Sequence, residues 1–257
     1  MIDERRRLFP RGLSQAKGCH FAADTLLLAS FCHQLLPDKP VYCAELGCGC
    51  AAALCGLALL RHNLLGVGFE KETLHIEAAQ RNLQDLELSE QLHIVQSDLA
   101  EKERIQTYAR QFRAVLANPP YFTSSEGRPA RSPLRNRAER NDNALTLFTA
   151  CAATLLQHHG FFFCIYPAYK LQELTVVLAK HHLALRKLLP VTSFSTSSCT
   201  RLLICACKDA ANHCDILPPL VLHSSQGTQK FSAEALNFCP WLGAGHQTSE
   251  QCHDLSC

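Results

Sequence analysis

The sequence predicts an α/β protein built on a doubly wound, mostly parallel sheet with helices on both faces. Three observations support this. Apolar runs of strand length alternate with amphipathic stretches of helical length, a glycine-rich turn joins the first run to the first helix, and the last two long runs have no long helical stretch between them. Repeated strand–helix–strand crossovers imply parallel pairing, and the missing last crossover implies one antiparallel strand.

In order, "VYCAEL" (41–46) is a strand followed by an Ala- and Leu-rich helix through Leu60. "LLGVGFE" (64–70) precedes the helical "KETLHIEAAQRNLQDL", and "LHIVQSDL" precedes "EKERIQTYARQ". "FRAVLA" (112–117) runs into a polar loop, a helix near "ALTLFTACAATLL", the strand "GFFFCIY" and a helix near "YKLQELTVVLAKHH". The strands "LALRKLLPV" and "RLLICACK" follow, then a short strand "PLVLH" and the segment "SAEALNF". The expected organisation is an N-terminal segment and helix over 1–40, one domain over 41–242, and a polar, disordered tail over 243–257.

Composition excludes several classes. The 257 residues, 47% hydrophobic and 19% charged, suit one globular domain, and a net charge of +2 gives no general field for nucleic acid, so such a partner needs a local patch. "MIDERRRLFPRG" has no apolar signal core after its charges, so the 15 cysteines read as reduced and the compartment as cytoplasmic. No window approaches the roughly eighteen apolar residues of a membrane span. Cys43, Cys48, Cys50 and Cys55 contain no C-x-x-C pair, so no metal is expected and core filling is the better reading.

Two motifs carry chemistry. In "AELGCGCAA", Gly47 and Gly49 let backbone approach a ligand at a helix N-terminus, and with Ala52 and Glu70 they satisfy the loose dinucleotide pattern. Glu45, two residues before the first glycine, suits a cationic ligand better than a phosphate. Glu70 is placed to accept from two ribose hydroxyls, and Asp98 to reach an adenine amine. The second motif is "LANPPYF" (116–122), where consecutive prolines end a strand and open a rigid loop.

These residues resemble the S-adenosylmethionine-dependent methyltransferases with the seven-stranded, Rossmann-like class I fold. "ELGCG" is similar to their first motif, "GFE" to their ribose-binding acid, "SDL" to their adenine-contacting acid, and Asn118-Pro119-Pro120-Tyr121 to the catalytic signature of enzymes that methylate planar nitrogens. The match spans 41 to about 207, and Ala51 stands where the family usually has a third glycine. The resemblance implies that Asn118 and the Pro119 carbonyl accept the amino hydrogens, that Pro120 stiffens the loop, that Tyr121 stacks on the base, and that Asn118 also borders the cofactor.

The flanks narrow the resemblance. "GCHFAADTLLLASF" (18–31) is similar to the N-terminal segment of bacterial tRNA(Val) adenine-N6 methyltransferases, which covers the cofactor; Gly18, Phe21 and Asp24 match its order, and His20 departs from it. "RNRAERNDNALTL" resembles the stretch after their catalytic loop. Arg128, Arg131, Arg135, Arg137 and Arg140 form the best candidate for binding tRNA phosphates. Alternative acceptors are a release-factor glutamine amide and guanine N2 of ribosomal RNA. Alternatives of another class are a nicotinamide oxidoreductase and a non-catalytic binding module.

Overall fold

The computed structural model describes residues 9–16, 21–120, 144–225, 228 and 230–245. Helix α1 (Ala23–Leu35) leads into β1 (Val41–Leu46), α2 (Ala52–Leu60), β2 (Leu64–Glu70), α3 (Thr73–Asp85), β3 (Leu92–Gln96), a short α4 (Lys102–Gln106) and β4 (Phe112–Ala117). After the loop come α5 (Ala144–Leu155), β5 (Leu156–Pro167), α6 (Leu171–Lys180), β6 (Leu183–Thr192), β7 (Arg201–Lys208), β8 (Asp215–Ile216), β9 (Leu220–Val221) and α7 (Ala233–Phe238).

The sheet runs β3-β2-β1-β4-β5-β7-β6, and β8 and β9 both lie along the outer edge of β6. All long strands are parallel except β7, which is antiparallel to both β5 and β6. The link 193–200 explains this, being shorter than the dozen or so residues a parallel crossover needs. The strand order reverses between β1 and β4, which makes their carboxyl ends the topological switch point.

Alternate strand residues face two apolar cores. On one face Leu116, Phe163, Ile165 and Leu203 pack with α1, α2 and α3; on the other Val115, Phe162, Tyr166 and Ile204 pack with α5 and α6. Burial on both faces is why the strands read as continuous apolar runs. The described ends of the chain meet on α2. Phe9 packs edge-on against Trp241 with ring centroids 4.7 Å apart, and a Cβ on Gly56 would lie 3.1 Å from Phe9 and 3.3 Å from Trp241.

Three expectations change in detail. The seven-stranded sheet gains β8 and β9 at one edge. The helix expected over 101–111 stops at Gln106, because Thr107 bonds the Arg104 carbonyl at 2.7 Å and Arg110 turns to φ +59°, sending its N–H to the Thr154 carbonyl at 3.0 Å. The strand expected from Gly160 begins at Leu156, directly after α5, with a register shift against β4. No described helix is long and apolar enough to cross a membrane. Among the described residues no group of three His, Cys, Asp or Glu side chains could hold a metal ion.

Candidate active site at the sheet switch point

Strand register aligns the candidate residues. Leu46 lies opposite Phe69 on one side and Ala117 on the other, and Phe69 lies opposite Val95. The next residue along each strand is therefore Gly47, Glu70, Asn118 or Gln96, all emerging at one edge. The two motifs, about seventy residues apart in sequence, leave adjacent strands at the same level.

The turn after β1 is left-handed at three positions, Gly47 (φ +59°), Gly49 (φ +56°) and Ala51 (φ +62°). Glycine is needed at 47 twice over, since a Cβ there would also lie 3.0 Å from the Phe148 ring of α5. At Gly49 no described residue lies within 4 Å of an added Cβ, leaving space that a ligand can enter. Ala51 is the N-cap of α2 and has no capping oxygen. Glu45 takes over that task, its Oε2 accepting from Leu54 N at 3.0 Å. Burial pushes the Glu45 carboxyl up to about 8, against the lowering effect of the Leu54 N–H, and Glu70 raises it further.

Glu70 is 7% exposed and held by backbone. Its Oε1 accepts from Lys71 N at 2.8 Å and Glu72 N at 3.0 Å, and its Oε2 from Gly49 N at 2.9 Å. A carboxylate offers about four acceptor positions, so one remains on Oε2 for a ligand hydroxyl. Burial alone would raise this carboxyl, but His75 together with the Glu72 and Gly49 N–H groups holds it below the ordinary value. His75 Nδ1 lies 3.8 Å from Oε1, which raises the imidazole's affinity for a proton. Asp98 Oδ1 accepts from Ala100 N at 2.9 Å, and Asp98 lines a cavity of about 640 Å³ with Lys71, Gln96, Ser97 and Glu101.

Asn118 Oδ1 is buried and accepts no hydrogen bond from the described residues. A buried unpaired acceptor costs about 1–3 kcal/mol, which a bound N–H donor would recover. Pro119 is buried and Pro120 half-buried. Tyr121, Arg128, Arg131, Arg135, Arg137, Arg140 and Gly18 lie outside the described residues. Phe21 packs at the rim of the first core and its N–H donates to Gln15 Oε1 at 3.0 Å. Asp24 is engaged by Arg201 Nε at 3.0 Å, at the start of β7.

His75 and Phe148 were not among the residues singled out from sequence. His75 carried a weak signal, a titratable residue in the first turn after the β2 acid. Phe148 carried none, because only the fold brings α5 over the glycine turn. The cysteines beside the turn are packed, not exposed for reaction. A Cβ on Gly68 would lie 2.7 Å from Cys48 Sγ, and burial pushes the Cys50 thiol up to about 12.

No protein-family model and no curated protein matches the sequence. Solved structures do match in fold. A predicted O-methyltransferase from Agrobacterium tumefaciens superposes with a TM-score of 0.67 at 19% identity, over 84% of this chain and 95% of that one. A candidate RNA methyltransferase from Pyrococcus horikoshii gives 0.55 at 15%, over 88% and 100%. A precorrin-6y C5,15-methyltransferase from Geobacter metallireducens gives 0.53 at 12%, over 78% and 96%. The chain thus has the Rossmann-like fold of these proteins.

Proposed function

We propose that this chain is an S-adenosylmethionine-dependent N-methyltransferase acting on adenine N6 in RNA, with the adenine beside the anticodon of tRNA(Val) as its target. The observation that carries the reading is the buried Asn118 Oδ1, which has no partner among the described residues, one strand away from the glycine turn and its uncrowded Gly49. The structural neighbours are described as O-, C5,15- and RNA methyltransferases, so the fold does not choose the acceptor atom. The tetrapeptide after β4 supports a planar nitrogen as acceptor, and the flanking segments support adenine N6 in tRNA.

The residues present fit the cofactor. Glu70 Oε2 has an acceptor position left for a hydroxyl, Gly49 leaves room for close approach, and Asp98 borders a polar cavity beyond β2 and β3. When bound, S-adenosylmethionine supplies an electrophilic methyl group on a sulfonium. The protein's own task is positioning. An aromatic amino nitrogen is a weak nucleophile because its lone pair is delocalised into the ring. Asn118 Oδ1 and the Pro119 carbonyl each accept one N–H, fixing where the remaining lone pair points, and the two prolines hold those acceptors still. Positioning of this kind supplies on the order of 7 kcal/mol of a barrier. Tyr121 stacks on the base, and the five arginines that follow it meet the RNA phosphates, so binding should weaken steeply with salt. An unpaired anticodon-loop adenine enters such a pocket at lower cost than a paired one.

Calorimetry with S-adenosylmethionine and its demethylated product tests the cofactor. Binding is expected, and Glu70→Ala should weaken it by roughly 1.5–3 kcal/mol, the scale for hydrogen bonds to a charged group. Binding of a nicotinamide dinucleotide in place of both would overturn the reading. Unmodified tRNA(Val) transcript should be methylated faster than duplex DNA or a release-factor domain; faster transfer to the release factor would move the assignment to glutamine.

A further inference from the structure

The side chain of Asn82, in α3, is fully buried and bridges two segments distant in sequence. Its Nδ2 donates to the Cys50 carbonyl at 2.9 Å and to the Ser14 carbonyl at 3.0 Å, while its Oδ1 accepts from Ser14 N at 2.6 Å. The two carbonyls and the one N–H it meets fix which end of the amide is which. One carboxamide therefore ties segment 9–16 to the glycine turn.

The Cys50 carbonyl belongs to the peptide plane that enters Ala51, the one non-glycine residue in the turn at positive φ. That plane is held at both edges: Asn82 takes its C=O, and its N–H donates to the Cys48 carbonyl at 2.8 Å. An alanine at φ +62° persists only where its surroundings over-determine it. Removing the amide would free one edge of this plane, one residue from Gly49, whose N–H donates to Glu70 Oε2 at 2.9 Å.

We propose that Asn82 is a positioning residue that couples segment 9–16 to the cofactor turn, so that ligand binding tightens the segment and loss of the clamp weakens the ligand. This rests on the cofactor reading above. Coupling between two sites is reciprocal, which makes both directions measurable.

The test uses the full chain with S-adenosylhomocysteine as probe. Calorimetry on the wild type comes first, and absence of binding defeats the cofactor reading and this inference with it. Given binding, saturating ligand should slow hydrogen exchange at the Ser14 amide and across 9–16; unchanged exchange there, with the ligand bound, overturns the inference alone. Asn82→Ala should raise the Kd about tenfold or more, within the usual 5–150-fold range of coupling, and abolish ligand-induced protection of 9–16. Ser232→Ala, which removes the cap of α7, serves as control. It should lower stability without moving the Kd, and an equal Kd shift in both variants would mean that Asn82 acts only through general stability. If Asn82→Ala does not fold, the wild-type exchange measurement still decides.

Discussion

Asn118 is where the proposed chemistry concentrates at the residue scale. Asn118→Ala removes a buried acceptor that has no partner among the described residues, so the fold should tolerate it or gain slightly. With RNA as substrate, kcat should fall by roughly 10²–10³, the scale for losing one preorganised hydrogen-bonding group, while cofactor affinity moves much less. Near-normal kcat would remove the proposed mechanism. Sequence singled this residue out because a polar side chain followed by two prolines at a strand end has few structural uses. It revealed Glu45 less well. An acid before the glycine turn suggested a cationic ligand, but its carboxylate faces the N-terminus of α2 and accepts from Leu54. That could not be read without knowing that Ala51, in place of a hydroxyl or amide residue, leaves the helix uncapped. Asn82 carried a legible signal, a polar residue at a core position between Ala79 and Leu83, but not its partners, which lie 32 and 68 residues away.

At the scale of elements, burial of the Glu45 carboxyl that caps α2 makes this helix start sensitive to pH. The carboxyl's value in the folded chain, about 8, stands well above the ordinary value of roughly 4.3 for glutamate. The neutral form is thus the one folding favours. Its stabilisation is complete below the ordinary value and is lost as pH rises through about 8, after which the penalty stays constant. Glu45→Gln keeps an oxygen for Leu54 N and has no proton to lose. Urea unfolding should show the variant gaining on the wild type between about pH 5 and pH 9, by a few kcal/mol on that linkage. A pH-independent difference would mean that water reaches the carboxylate. Most elements were legible because strands buried on both faces are simple apolar runs, and "VYCAEL", "LLGVGFE", "FRAVLA" and "RLLICACK" match β1, β2, β4 and β7 residue for residue. The two-residue β8 was not, since its pairing with Lys187 and Leu188 is a property of the β6 edge rather than of its own composition.

At the scale of the molecule, one sheet separates two cores, and the glycine turn, Glu70 and Asn118 share the edge where strand order reverses. The α2 helix that begins in that turn also receives both described ends of the chain, Phe9 and Trp241, over Gly56. The sequence contains a single tryptophan, and it is this one, 6% exposed. The protein therefore carries its own fluorophore at the seam between its two ends. In the folded state its emission should lie toward the blue, as for an indole shielded from water, and its red shift in urea reports the parting of Phe9 from Trp241. If the seam opens as a separate unit, that shift will precede the loss of far-ultraviolet circular dichroism; if the sheet and the seam are one cooperative body, the two curves will superimpose.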